Sequence, residues 1–165
     1  GAFGAKLATI AVEAAKTMQY VRRWRILLDP GAGPRAFRKL AAQAPQWAVV
    51  EPLRPDLRTM LSRCAVSVTQ AGYNTVVDVL AAQCRAVLVP FAEDREQVRR
   101  AECFAHRGLA RTLADGALSP GLLASVVTEA MDAPKSIRKV KIDGEVAAER
   151  ILSDLLATRR RGTAA

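Results

Sequence analysis

The residues best suited to chemistry lie between Thr69 and Gln97, in TQAGYNTVVDVLAAQCRAVLVPF followed by AEDREQVRRA. Gly72 follows an apolar run, and Asn74 and Thr75 open a segment with helical spacing. The first N–H groups of a helix have no partner inside it and carry partial positive charge. Such an end attracts a phosphate, and the Thr75 hydroxyl adds a donor. An ordinary helix start gives the same local pattern, so this stretch is not specific by itself. Asp78 stands four residues after Asn74, on the same helical face. A carboxylate there is in reach of the ribose hydroxyls of a nucleotide seated at the helix start. Glu96 and Gln97 open the next helix at the same predicted sheet edge, where polar side chains can read sugar hydroxyls. The opening Gly1 to Gly4 is a second glycine-rich turn before a helix. Two helix starts and one acid converging on one edge say more than any single piece.

Other residues carry less. His106, just before Gly108, reads as a helix C-terminal residue favoured by the dipole. A single histidine excludes a histidine metal cluster. Cys64, Cys84 and Cys103 read as core or helix-packing thiols. Glu93 and Asp94 read as a solvated acidic loop. No Ser–His–Asp or Cys–His arrangement can be assembled, and no metal or other cofactor is expected.

The elements that must position these residues alternate. Helices are expected over Ala5–Val21, Arg35–Gln43, Asp56–Arg63, Asn74–Gln83, Arg95–Arg107 and from the Ser119 cap to Met131, with Pro120 at the first helical position. Strands are expected over Trp24–Asp29, Trp47–Glu51, Cys64–Thr69, Arg85–Pro90 and Leu109–Leu113. These strands are continuous apolar runs, as a sheet covered on both faces requires. The result is an α/β fold, a Rossmann-like parallel sheet with helices on both faces, and its ligand is expected at the carboxyl ends of the strands. Residues 1–132 form the predicted domain. Residues 133–165 are expected to be a basic connector, a final helix over Gly144–Thr158 and a loose tail.

The chain enters its first helix directly from GAFGAK, with no strand before it. The strand that normally precedes such a turn is the central one of the sheet. The expectation is therefore a fragment of a longer chain, or a first strand supplied from elsewhere.

Composition bounds the class. The 165 residues carry a net charge of +9, and half are hydrophobic, which suits one domain with a real core. Nine basic and three acidic residues fall between Arg22 and Arg63. Aromatics are only 5 %, which leaves few stacking platforms for nucleic acid. A basic face suits phosphate-bearing substrates or peripheral contact with an anionic membrane better. Three cysteines without a CxxC pair exclude a disulfide scaffold and suit a reducing, cytoplasmic compartment. No apolar run is long enough to span a bilayer.

With QAGYNT, VVDVLAA, AVLVPF and REQVRRA in this order, the chain resembles the C-terminal, donor-binding domain of GT-B glycosyltransferases. It is most similar to family 28, the group that includes the peptidoglycan N-acetylglucosaminyltransferase. GAFGAKL resembles the family's glycine-rich loop without its first glycines, and VVEPLRPDL resembles the segment that passes the nucleobase. The resemblance spans about Gly1 to Ala130. It implies a nucleotide-sugar donor, usually a uridine one, with Leu53 at the base. Gly1, Ala2 and Phe3 would line the diphosphate and sugar side, with Ala71, Gly72, Tyr73, Asn74 and Thr75. Asp78 matches the ribose-binding acid, more often Glu, while Glu96 and Gln97 match residues that read the sugar. Ala2 stands where Ser is frequent, and Arg85 where Pro is common.

The resemblance further implies an inverting transfer to an acceptor not identified by this sequence, without a metal. The catalytic base would lie in an N-terminal acceptor-binding domain, so no catalytic residue is assigned here and the fragment alone should be inactive. A nucleotide-sugar 2-epimerase of the same fold and a non-enzymatic basic binding module are the alternatives.

Overall fold

A computed structural model describes residues 2–19 and 23–134. Gly1 and the expected final helix lie outside the described residues. The elements run α1 (Ala2–Thr17), β1 (Trp24–Leu28), α2 (Gly33–Gln43), β2 (Ala48–Pro52), α3 (Leu57–Arg63), β3 (Ser67–Thr69), α4 (Tyr73–Ala81), β4 (Ala86–Leu88), α5 (Arg95–His106), β5 (Arg111–Thr112) and α6 (Pro120–Asp132). Short 3-10 turns at Pro30–Ala32 and Asp115–Ala117 precede α2 and α6. All the expected elements within the described residues are present in order. The strands are shorter than their apolar runs. Val66 and Leu109, for example, are apolar and packed on the core without belonging to a strand.

Among the described residues every strand pair is parallel. The strands form two sheets, however: β1 with β2, and β3–β4–β5 in that order. Among the described residues no strand joins β1 to β3, the place where the sequence reading puts the absent central strand. The two sheets are joined instead through the core. Ile26 and Leu28 of β1 share one buried cluster with Val87 and Val89, and helices α1 and α6 supply Ala8, Ala11, Val12, Ala14, Leu123 and Val127 to it. The alanines of α1 leave room for close helix packing.

Strand β4 explains the two-layer arrangement. Side chains alternate across a strand. Val87 and Val89 therefore enter the α1–α6 cluster, while Ala86 and Leu88 enter a second cluster with Leu61 of α3, Val76 and Val79 of α4, and Ala101 and Phe104 of α5. Both faces of β4 are buried, so its run of apolar residues is physically required. Among the described residues strand β5 pairs only with β4, and its Arg111 and Thr112 are exposed, as an edge tolerates.

Helix ends follow local chemistry. Ser119 caps α6 by accepting from the Leu122 N–H, with Pro120 next, as the sequence predicts. Asp56 stands at the start of α3 but makes no cap bond, because its carboxylate holds Arg54. Gly108 ends α5 with φ at 65°, a left-handed turn that glycine adopts without strain, and His106 closes the last helical turn. Asp94 is no mere solvated loop residue: its carboxylate caps α5, accepting from the N–H groups of Glu96 and Gln97 at 3.0 Å. These bonds, foremost that from the Gln97 N–H, hold its carboxyl below the usual aspartate range. Cys103 also departs from expectation: it is exposed on α5 rather than packed in a core.

Two outcomes test this architecture. Leu123→Ala removes a fully buried side chain from the larger cluster, and urea unfolding should show a loss of about 2–5 kcal/mol. Asp94→Ala should lower the melting temperature at neutral pH. The folded pKa of Asp94 is depressed, so its contribution is complete above the unfolded aspartate value and is lost as pH falls through the folded one. The gap between the native chain and Asp94→Ala should therefore narrow below about pH 4.

Candidate functional site

In a parallel sheet each strand leads into a helix at the same edge, so the helix N-termini gather there. Strand β3 ends at Thr69, and Gly72 caps α4 with extended backbone and no side-chain bond. The first backbone bond of that turn runs from the Val76 N–H to the Gly72 carbonyl. The N–H groups of Tyr73, Asn74 and Thr75 thus precede the helical ladder, and α4 has no acid in its first turn to neutralise them.

Helix α1 brings its own N-terminus to this edge. The Phe3 ring packs on Phe91, just after β4, with centroids 5.2 Å apart. Gly4 lies so close to the β3–α4 turn that a Cβ there would come within 3.2 Å of the Gln70 amide nitrogen. Lys6 stands over the Phe3 ring and pairs with Asp115. Helix α5 is tied in through Arg100, which donates to the Ala71 carbonyl and lies 5.8 Å from the centre of the Tyr73 ring. Three helix starts, those of α1, α4 and α5, therefore share one edge. Ala2, Phe3, Ala71, Gly72, Tyr73, Asn74 and Thr75 are all at or beside it, and Tyr73 is exposed.

The acid expected at the ribose is held from outside its own helix. Arg58 of α3 donates two hydrogen bonds to Asp78 Oδ1, from Nε at 3.0 Å and from a terminal nitrogen at 2.8 Å. Among the described residues, the second carboxylate oxygen of Asp78 accepts none. Leu53 sits just past β2, half exposed, with its N–H on the Leu28 carbonyl. Its neighbours are held by an ion-pair chain from Arg25 through Glu51 to Arg54 and Asp56. Arg25, foremost by its hydrogen bond, holds the Glu51 carboxyl below its usual range.

Glu96 and Gln97 differ in state. The Glu96 side chain is 88 % exposed and 3.7 Å from Arg100. The Gln97 amide is engaged inside the β4–α5 turn, accepting from the Phe91 N–H and donating to Asp94. Sequence reading missed Arg58, Arg100 and the capping role of Asp94. Asp94 was legible, since an acid just before a helical run is a cap signal. The two arginines act across elements, and no local spacing announces them. Arg85, which stands where the resembled family commonly has proline, has a tertiary partner: its Nε donates to the Ala133 carbonyl at 2.8 Å, tying the end of α6 to the start of β4.

A cleft of about 330 Å³ opens at the opposite edge, beside Gln83, Cys84, Arg85, Gly108, Arg111 and Pro134, and none of the predicted site residues lines it. Among the described residues no group of three or more His, Cys, Asp or Glu side chains is placed to hold a metal ion, and no helix is long and apolar enough to cross a membrane.

Comparison with known proteins bears on the family and the fold. Residues 4–153 match the family described as Glycosyltransferase family 28 C-terminal domain. A relative from Rhizobium johnstonii, named UDP-N-acetylglucosamine--N-acetylmuramyl-(pentapeptide) pyrophosphoryl-undecaprenol N-acetylglucosamine transferase, is 30 % identical over 122 residues, covering 68 % of this chain and 33 % of the relative. A protein of the same name from Brucella anthropi is 28 % identical over 169 residues, covering 94 % of this chain and 44 % of its own length. The chain thus spans less than half of either relative. Among solved structures, glycosyltransferase VinC in complex with DTDP superposes with a TM-score of 0.63 at 20 % identity, over 77 % of this chain and 30 % of VinC. The glycotransferase of kitacinnamycin gives 0.62 at 22 %, over 78 % of this chain and 31 % of its own. Both share the α/β fold of GT-B glycosyltransferases. A match over most of its length, on a parallel α/β scaffold of the right kind, establishes that the chain belongs to the glycosyltransferase family 28 C-terminal domain.

Proposed function

We propose that this domain binds the donor of an inverting glycosyl transfer, a uridine diphosphate sugar, at the edge where α1, α4 and α5 begin. The observation that carries the reading is the meeting of the α1 and α4 N-termini beside α5, whose own first N–H groups Asp94 already holds, with the first turn of α4 uncapped by any side chain. A diphosphate there would face several unpaired N–H groups at once. Two findings about similar proteins support the ligand class. The relatives' name contains UDP-N-acetylglucosamine, and VinC was solved with DTDP, also a nucleoside diphosphate.

In this reading the base lies against Leu53 and the diphosphate at Ala71 to Thr75, with Ala2 and Phe3 on its other side. The ribose hydroxyls bond the open oxygen of Asp78. Arg58, by occupying Oδ1, turns that oxygen toward the ligand. Glu96 reaches the sugar, and Gln97 shapes the turn that presents it. As the sugar–phosphate bond breaks, negative charge gathers on the diphosphate. Helix N-termini fixed there stabilise that charge with little reorganisation. The acceptor and the base that takes its proton belong to a further, N-terminal domain, for which the relatives' greater length leaves room. The donor-binding unit in this reading is residues 1–132. The basic surface suits a cytoplasmic protein in peripheral contact with an anionic membrane.

Calorimetric titration of UDP and UDP-N-acetylglucosamine tests the proposal. Saturable binding is expected, and Asp78→Ala should weaken it by about 1–3 kcal/mol, the worth of hydrogen bonds to a charged group. The variant should unfold close to the native midpoint, because the Arg58–Asp78 pair it breaks is partly exposed. Arg58→Gln should weaken UDP in the same direction but less. Absence of saturable binding by any nucleoside diphosphate would defeat the reading.

A further inference from the structure

Cys64 and Cys84 are twenty positions apart in sequence, yet their sulfur atoms lie 3.1 Å from each other. The fold explains the encounter. Cys64 is the residue after α3, leading into β3, and Cys84 follows α4, leading into β4. Strands β3 and β4 are parallel neighbours with Ser67 opposite Ala86, so the segments that lead into them arrive side by side. Gln83, with φ at 50°, makes the left-handed turn that delivers Cys84. Each sulfur also has a backbone carbonyl within reach, Leu61 for Cys64 at 3.3 Å and Arg85 for Cys84 at 3.1 Å. Both thiol protons can therefore point away from the contact, leaving the sulfur atoms facing one another.

We propose that Cys64 and Cys84 form a reversible redox site, a dithiol that a small-molecule disulfide such as oxidised glutathione converts to an intramolecular disulfide. A disulfide bond is about 2.04 Å long, so closing it requires roughly 1 Å of approach. The reaction is thiol–disulfide exchange. Cys64, the more exposed of the two, loses its proton and attacks one sulfur of the oxidant, whose disulfide bond breaks and releases one thiolate. Cys84, deprotonated in turn, attacks the Cys64 sulfur and displaces the second thiolate. The two protons go to the two released thiolates. The protein loses two hydrogens and two electrons, and the oxidant becomes two thiols. The cleft beside Cys84 gives the buried partner a path to solvent. Cys103, exposed on α5, lies outside the pair.

The bond would close the loop from residue 64 to residue 84. That loop contains β3, the turn at Ala71 to Thr75, and Asp78. It would also fix the end of α3, the helix that carries Arg58. Oxidation is thus expected to stiffen this part of the molecule, whatever ligand it binds.

The test uses the full chain with Cys103→Ser, equilibrated in reduced and oxidised glutathione, then alkylated and mapped by peptide mass. The expected result is loss of both alkylatable thiols together, a mass lower by two hydrogens, and one linked peptide pair containing Cys64 and Cys84. The melting temperature should rise by roughly 5–10 °C, and reductant should reverse the change. With Cys84→Ala added, the remaining Cys64 should stop at the mixed disulfide with glutathione. The native fold of each variant is checked by circular dichroism. Persistence of both thiols in the folded chain at every glutathione ratio would overturn the proposal. So would a stable mixed disulfide in the chain that retains both cysteines.

Discussion

The arrangement depends on β4 being buried on both faces. A strand has two faces, and each must meet apolar atoms if it lies inside. Leu88 and Ala86 satisfy one layer and Val87 and Val89 the other. The connections β3–α4–β4 and β4–α5–β5 each cross the sheet as a helix, so β3 and β5 lie beside β4 in the same direction. The direction of β4 therefore decides where every neighbouring helix begins. The candidate site is a consequence of that constraint, since the starts of α4 and α5 must come to the carboxyl edge.

The polar chemistry is layered on this apolar frame. Arg58 and Arg100 do not belong to the turns they serve. Each reaches from a neighbouring helix: Arg58 to the Asp78 carboxylate within α4, Arg100 to the Ala71 carbonyl in the turn before it. A turn tied to a neighbouring helix keeps its N–H groups aimed in one direction. Preorganised dipoles of this kind are worth more than flexible ones, because no free energy is spent in turning them. The positive charge of the chain is thereby partly structural, and its sign suits an anionic ligand.

The opposite edge has a different character. There the connections leave α3 and α4 and re-enter β3 and β4, and the same parallel register that gathers helix starts at one end gathers Cys64 and Cys84 at the other. Arg85 adds a tie from this edge to the end of α6. The two edges are joined by α4, which begins in the candidate site and ends at the turn before Cys84.

The sequence by itself determined the order and kind of the elements, because hydrophobic spacing and helix punctuation are local. Val76 and Val79 mark a helix face, Ala86 to Val89 an enclosed strand, and Ser119 with Pro120 a helix start. It also determined that the starts of α4 and α5 would share one edge, since alternating strands and helices allow few topologies. Only the tertiary structure decided the pairings between distant residues. Arg58 meets Asp78, Arg100 meets Tyr73, and Cys64 meets Cys84 across separations of about twenty residues or more, and no local periodicity encodes a contact made by packing. It also decided that the strands divide into two sheets around a shared core, because sheet continuity depends on which strand lies beside β1 and β3 rather than on the apolar pattern of either.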